Sequence, residues 1–325
     1  MGGPWRRFIV VGGAGFIGGH FVDRLLADPY TAAVTVYDNF SSGREWHLSH
    51  HDGDDRLVVH KGDVKDLESL VDAMAGSEVA IHLASNPDIA RAATEPSVDF
   101  DEGTLLTHHV VEAARRTGLA RLLYASGSGV YGDLGELEAT EDHGPLLPVS
   151  TYGASKLAGE ALLGSYCFMF GLTARAFRFG NVVGPRQTHG VGFDFLRMLR
   201  ADPTQLPILG DGSQSKSYIH VYDVIDAVLT ASASTDVAYQ VYNVATGDYI
   251  TVREIADLVV DCLGLGRVTY QFTGGDRGWK GDVPIVRLNT DRIRRLGWAN
   301  RWSTAEALRQ SLLGMIDDAD SGRLW

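Results

Sequence analysis

The sequence predicts an α/β protein: a doubly wound parallel sheet followed by a smaller mixed α/β C-terminal domain. Two observations carry this. Short apolar runs alternate with longer amphipathic stretches from Phe8 to about Gly180, and beyond Gly184-Pro185 the pattern loosens into Gly/Pro-containing loops and short elements. Strands of four to eight apolar residues spaced by helices mark βαβ units whose sheet is covered on both faces.

The expected strands, in order, are FIVV (8–11), VTVYD (34–38), RLVVHKGD (56–63), VAIHLAS (79–85), RLLYAS (121–126) and TARAFRFGN (173–181). Two intervening helices, 103–117 and 151–170, carry small and apolar residues on more than one face, which suits either pairing across a dimer or burial under the sheet. Further helices are expected at 220–231 and 251–264. The division that follows is a nucleotide-binding domain over 1–180 and a second domain over 181–325, with 218–245 packing back onto the first.

Composition narrows the function. The 325 residues are 45% hydrophobic and 22% charged, enough for a sizeable core. A formal charge of -12 offers no footprint for nucleic acid or anionic lipid, so neither is an expected partner. No apolar run approaches the roughly 20 residues of a spanning helix, and Phe8–Val11 after Arg6-Arg7 is too short for a signal segment. Cys167 and Cys262 form neither a zinc pattern nor a disulfide framework, so the expected location is the cytoplasm and no metal ligand set is expected. His47, His50 and His51 lie in a polar segment without a cysteine companion and read as a solvated face.

Gly12, Gly15 and Gly18 follow a strand and open a helix, the context a dinucleotide fingerprint requires. The first glycine permits the tight turn, the second lets a pyrophosphate approach backbone N–H groups, and the third permits close packing. Asp38 ends the second strand about twenty residues on, where a carboxylate binds ribose hydroxyls and repels a 2′-phosphate. This Rossmann-type pattern favours NAD over NADP; Arg44 is the nearby residue that argues the other way. Asp63 ends the third strand at the same sheet edge and suits an adenine contact, a helix N-cap, or both.

Tyr152 and Lys156 in STYGASK stand at i and i+4 on one helix face. A free tyrosine, with a pKa of about 10, is a poor base. An ammonium one turn away and a positive nicotinamide ring lower that value, so the phenolate can take a hydroxyl proton as hydride leaves the same carbon.

With these motifs in view the chain resembles the extended short-chain dehydrogenase/reductases, and among them the NAD-dependent epimerase/dehydratase family, particularly the UDP-galactose 4-epimerases. The likeness is carried by GGAGFIG (12–18), YDN (37–39), GDV (62–64), HLAS (82–85), VYGD (130–133), YGASK (152–156), GNVVGPR (180–186), GDGSQSKSYIHVYD (210–223) and DRGWKGDV (276–283). The resemblance implies that Phe16, Ile17, Asp38, Asn39, Asp63, Val64, Leu83, Ala84 and Ser85 line NAD, and that Tyr152 is the base while Lys156 also holds the nicotinamide ribose. It also implies that Asn181 contacts a sugar nucleotide, with Lys216 where a phosphate-binding arginine is usual. Arg277 and Asp282 are implied to hold the diphosphate and the uridine ribose. Arg186 is implied to reach a phosphate or a sugar carboxylate, or else to form a surface salt bridge.

The chain departs from the family at Gly127, where a serine or threonine hydroxyl is usual three residues before Val130. The hydroxyl is assigned to Ser126, with Ser128 as the alternative. Phe100 stands in place of a frequent cofactor-side asparagine. Family dehydratases carry an Asp-Glu pair just before the VYG motif, and sugar-acid decarboxylases a Glu, whereas this chain has Ser128 and Gly129. The implied reaction is therefore 4-epimerisation of a UDP-hexose in a homodimeric enzyme, with UDP-glucuronate or UDP-N-acetylglucosamine as alternative substrates and Val286 near the position that gates bulk at C2. A dehydratase, a net ketoreductase and a non-catalytic NAD sensor are the other readings.

Overall fold

A computed structural model describes residues 5–233 and 237–324. The strands of the N-terminal part are β1 (Arg7–Val11), β2 (Ala33–Asp38), β3 (Leu57–Lys61), β4 (Val79–His82), β5 (Arg121–Gly127) and β6 (Ala174–Phe179), and its helices are α1 (Phe16–Leu26), α2 (Leu67–Met74), α3 (Leu105–Thr117) and α4 (Thr151–Phe170). The C-terminal part adds β7 (Asn181–Val183), α5 (Val191–Ala201), β8 (Gln205–Ile208), β9 (Ser215–Lys216), β10 (Tyr218–His220), α6 (Val221–Ser232) and β11 (Tyr239–Val244). It closes with β12 (Ile250–Thr251), α7 (Val252–Cys262), β13 (Thr269–Phe272), α8 (Asp291–Arg294) and α9 (Thr304–Asp320).

Seven parallel strands form the main sheet in the order β11-β6-β5-β4-β1-β2-β3. The alternation in β1 shows why it is doubly covered. Phe8 and Val10 pack in one apolar cluster with Phe21 and Leu25 of α1 and Val224 and Val228 of α6. Ile9 and Val11 face the other way, into a cluster with Leu70 and Met74 of α2, Val110 of α3 and Leu163 of α4. The chain reverses winding between β1 and β4, which opens a crevice at the carboxyl ends of those strands.

β11 and α6 lie with the main sheet although they follow the first C-terminal elements. A separate core joins α5, α7 and α9 through Leu196, Leu199, Ile255, Val259, Leu308 and Leu312, with Leu206 and Ile208 of β8. Three two-stranded sheets, β7 with β10, β8 with β13 and β9 with β12, link it to the crevice.

Local chemistry corrects three expectations. Asp63 caps no helix: α2 starts at Leu67, and Asp66 accepts from Ser69 N at 3.1 Å, while Asp63 accepts from Lys65 N and Asn39 Nδ2. The helix expected from Gly103 is preceded by a π turn over Phe100–Thr104. His47, His50 and His51 are not one solvated face. His47 is buried and its Nδ1 lies 2.8 Å from the Ala14 carbonyl, whereas His50 and His51 meet Asp23. Among the described residues no helix is long and apolar enough to cross a membrane.

Candidate active site

The crevice is a cavity of about 580 Å³, within the range of ligand sites, and it runs from the glycine turn to the loops of the C-terminal part. Every residue assigned to the dinucleotide lines it. At Gly12, with φ of +85°, a Cβ would stand 2.7 Å from Ala84 N, and at Gly18 one would stand 2.2 Å from the Gly12 carbonyl oxygen. Gly15 is looser: its Cβ would meet only the Gly12 oxygen, at 3.3 Å, so the N-terminus of α1 is left clear for a phosphate.

Asp38 is fixed before any ligand arrives. Its Oδ2 accepts from Ala14 N at 2.9 Å and its Oδ1 from Phe40 N at 2.8 Å. Burial pushes its carboxyl above the usual range, against the pull of these two N–H groups. Ser85, at the end of the β4 segment, has a buried hydroxyl without a hydrogen-bond partner among the described residues. A buried polar atom left unpaired is costly, and at a cavity wall it suits a polar ligand atom. Glycine turn, paired carboxylate and open hydroxyl together fit a dinucleotide.

α4 carries the Tyr-Lys pair. Ser150 caps it by accepting from Gly153 N at 3.1 Å, and its glycines let it lie against β5 and the turn that follows, since a Cβ at Gly153 would be 2.5 Å from the Gly129 oxygen and one at Gly159 would be 2.4 Å from the Tyr124 hydroxyl. Lys156 is buried; its Nζ donates to the Ala125 carbonyl at 2.9 Å and sits 5.4 Å from the Tyr152 ring centroid. Burial brings Lys156 down to about 8 and pushes Tyr152 up to about 12. In the protein alone Tyr152 is raised, not lowered: burial is the larger cause, and the nearby Asp99 carboxylate adds to the rise.

Asp99 is a residue that the sequence reading missed. It is buried, accepts from Asn86 Nδ2 at 2.9 Å and from Thr151 Oγ1 at 2.6 Å, and so ties the start of α4 to the segment after β4. No spacing rule links positions 86, 99 and 151; the sheet order brings them together.

The hydroxyl assigned to Ser126 is already engaged. Ser126 Oγ donates to Glu160 Oε1 at 2.5 Å, and Glu160 pairs with Arg178 at 2.7 Å in a buried triad. A Cβ at Gly127 would meet nothing within 4 Å, and Ser126, Gly127 and Ser128 all line the cavity.

At the other end, Asn181, Lys216, Asp282 and Val286 line the cavity. Lys216 Nζ lies 2.6 Å from Asp282 Oδ1, and Asp282 also accepts from Gly278 N at 3.1 Å. Arg277, expected at a diphosphate, does not line the cavity here; it donates to the Asp282 carbonyl at 2.6 Å and pairs with Asp133 at 2.5 Å. Of the two expectations for Arg186, the structure shows the salt bridge. With φ of +63° at this position, its guanidinium runs to Asp23, His20 and the His47 carbonyl of the α1 side while its backbone N–H donates to Asp318, so it pins α1 to the end of α9 outside the cavity. Trp279 and His189 line the cavity and were not singled out from the sequence.

Residues 8–245 match the NAD dependent epimerase/dehydratase family model. The UDP-glucose 4-epimerase of Mycolicibacterium smegmatis is 34% identical over 94% of this chain and 97% of its own. A crystal structure of a UDP-galactose 4-epimerase superposes with a TM-score of 0.84 at 36% identity, covering 96% of this chain and 99% of that one. A dTDP-glucose 4,6-dehydratase from Streptomyces venezuelae, solved with NAD, gives a TM-score of 0.89 at 28% identity over 97% and 98% of the two chains.

Proposed function

Because the chain belongs to the NAD dependent epimerase/dehydratase family, and is an NAD-dependent enzyme acting on nucleotide sugars, we propose that it inverts C4 of a UDP-hexose, with UDP-glucose and UDP-galactose as the substrate pair. The observation that carries this reading is the pairing of Tyr152 and Lys156 in a cavity where Ser128 and Gly129 replace the acids that elimination requires. Bound NAD supplies the acceptor, and then the donor, of the C4 hydride.

The chain's own residues manage the proton. Tyr152 takes the proton of the 4-hydroxyl and returns it, so no external acid or base is consumed. Lys156, tethered to the Ala125 carbonyl, keeps a positive charge beside the phenol. Burial and the Asp99 carboxylate hold Tyr152 near 12 in the protein alone, so a positive nicotinamide beside it would favour the phenolate and couple proton removal to cofactor binding. With Ser126 committed to Glu160, the proposed substrate-side hydroxyl is Ser128. Asn181, Lys216 and Asp282 are proposed to hold the sugar nucleotide, and Asp282 must exchange Lys216 for ribose hydroxyls as it does so.

A homodimer belongs to the same proposal. Phe168, Met169 and Phe170 at the end of α4 are 93%, 67% and 50% exposed, an apolar end suited to burial between two copies, and sedimentation at twice the chain mass is expected.

The test is to incubate the purified protein with UDP-glucose, UDP-N-acetylglucosamine and UDP-glucuronic acid without added reductant and to resolve the products by NMR. Conversion of UDP-glucose to its 4-epimer at constant NAD is expected; loss of water to a 4-keto-6-deoxy product would overturn the reading. A paired comparison of Ser126→Ala and Ser128→Ala assigns the hydroxyl: Ser128→Ala lowers kcat, and Ser126→Ala mainly lowers stability.

A further inference from the structure

Outside the cavity, Asp23 on α1 meets two adjacent histidines from the 3-10 turn Ser49–His51. His50 Nε2 lies 2.7 Å and His51 Nε2 2.8 Å from the same oxygen, Asp23 Oδ1, with the imidazole centroids 4.1 Å apart. The other carboxylate oxygen, Oδ2, is taken by Arg186, which fixes the plane of the group and leaves Oδ1 to the histidines. These three ligand atoms all lie within 4.8 Å of one another.

The geometry points to a binding site for a borderline divalent cation of the zinc, nickel or cobalt type, held by Asp23 Oδ1, His50 Nε2 and His51 Nε2 with water completing the coordination. Two imidazoles and one carboxylate suit these ions, whereas magnesium and calcium require oxygen ligands. Bonds of about 2.0–2.1 Å set tetrahedral ligand separations of about 3.3 Å, so the two N–O distances must open by about half an ångström. His50, half exposed at 50%, has room to do this. In the present arrangement each histidine presents Nε2 to the carboxylate; on binding, the cation replaces those contacts and the ring protons move to Nδ1. The Arg186 charge opposes the incoming cation, so the site is weaker than a closed structural zinc centre.

The position gives the site a consequence. A cation there joins α1 to the 45–51 segment, and His47 of that segment contacts the Ala14 carbonyl within the glycine turn. The ion would stiffen the wall behind the dinucleotide end without touching a ligand.

Tag-free full-length protein, stripped with chelator, tests this with Co2+ and Zn2+. A visible d–d absorption saturating at one Co2+ per chain, and a rise in Tm with Zn2+ but not with Mg2+, are expected. The double variant His50→Gln/His51→Gln keeps hydrogen-bond donors toward Asp23 and should lose both signals while its circular dichroism and NAD content stay unchanged. No Co2+ absorption in the wild-type protein, an equal response in the double variant, or an equal Tm rise with Mg2+ would each overturn the site.

Discussion

The two ends of the cavity are organised by opposite means. At the dinucleotide end the Asp38 carboxylate is locked by two backbone N–H groups, those of Ala14 and Phe40. At the end proposed to hold the sugar nucleotide, Lys216 pairs with Asp282 across a long sequence separation, and behind the cavity lining Arg277 pairs with Asp133. The first arrangement is set when the chain folds, so a dinucleotide bound there would need no rearrangement of Asp38. In the proposed binding, the second would give up an internal ion pair to the ligand, so its affinity would be a difference between two sets of polar contacts.

Substitution where the ends meet has the largest expected effect. Tyr152→Phe removes the proton acceptor without changing the packed ring, and turnover should fall about 10²–10⁴-fold with NAD content unchanged. Initial rates together with cofactor released on denaturation would check this. At the nucleotide end, Gly18→Ala forces a Cβ against the Gly12 carbonyl. A destabilisation on the order of 1–3 kcal/mol and loss of co-purifying NAD are expected, read by chemical denaturation and absorbance.

The sugar end should respond more mildly and in a different parameter. Lys216→Met leaves Asp282 without its ion-pair partner, and we expect KM to rise about tenfold, equivalent to about 1.4 kcal/mol, with NAD content unchanged. A Lys216→Met protein that lost its NAD would erase the distinction between the two ends.

The smallest effect is a pH dependence in cofactor-free protein. Lys156 is lowered from 10.5 to about 8, so between those values the unfolded chain binds more protons and stability rises with pH. Tyr152 is raised from 10.0 to about 12, so the folded state binds more protons there and stability falls across that range. Urea midpoints measured from pH 8 to 10 should climb in the wild-type protein and flatten in Lys156→Met.

Much of this molecule is written in local pattern. Strand positions, the glycine turn, Asp38 and the Tyr152–Lys156 spacing are legible because each depends on residues within one βαβ unit or one helix turn. The histidines were misread because polar composition suggested solvent, whereas the 3-10 turns tuck His47 under the glycine turn and aim His50 and His51 at α1.

The sequence by itself determined the fold class, the family and the glycine turn that opens the cavity, since hydrophobic period and glycine sterics act over short range. Only the tertiary structure decided which internal partners the polar side chains take. Ser126 is taken by Glu160, Arg186 by Asp23 and Arg277 by Asp133, and Asp99 reaches the Tyr-Lys pair through a segment fifty residues away. The physical reason is that a hydrogen bond or ion pair is satisfied by whichever partner the packing brings within about 3 Å, and sequence separation does not enter that choice.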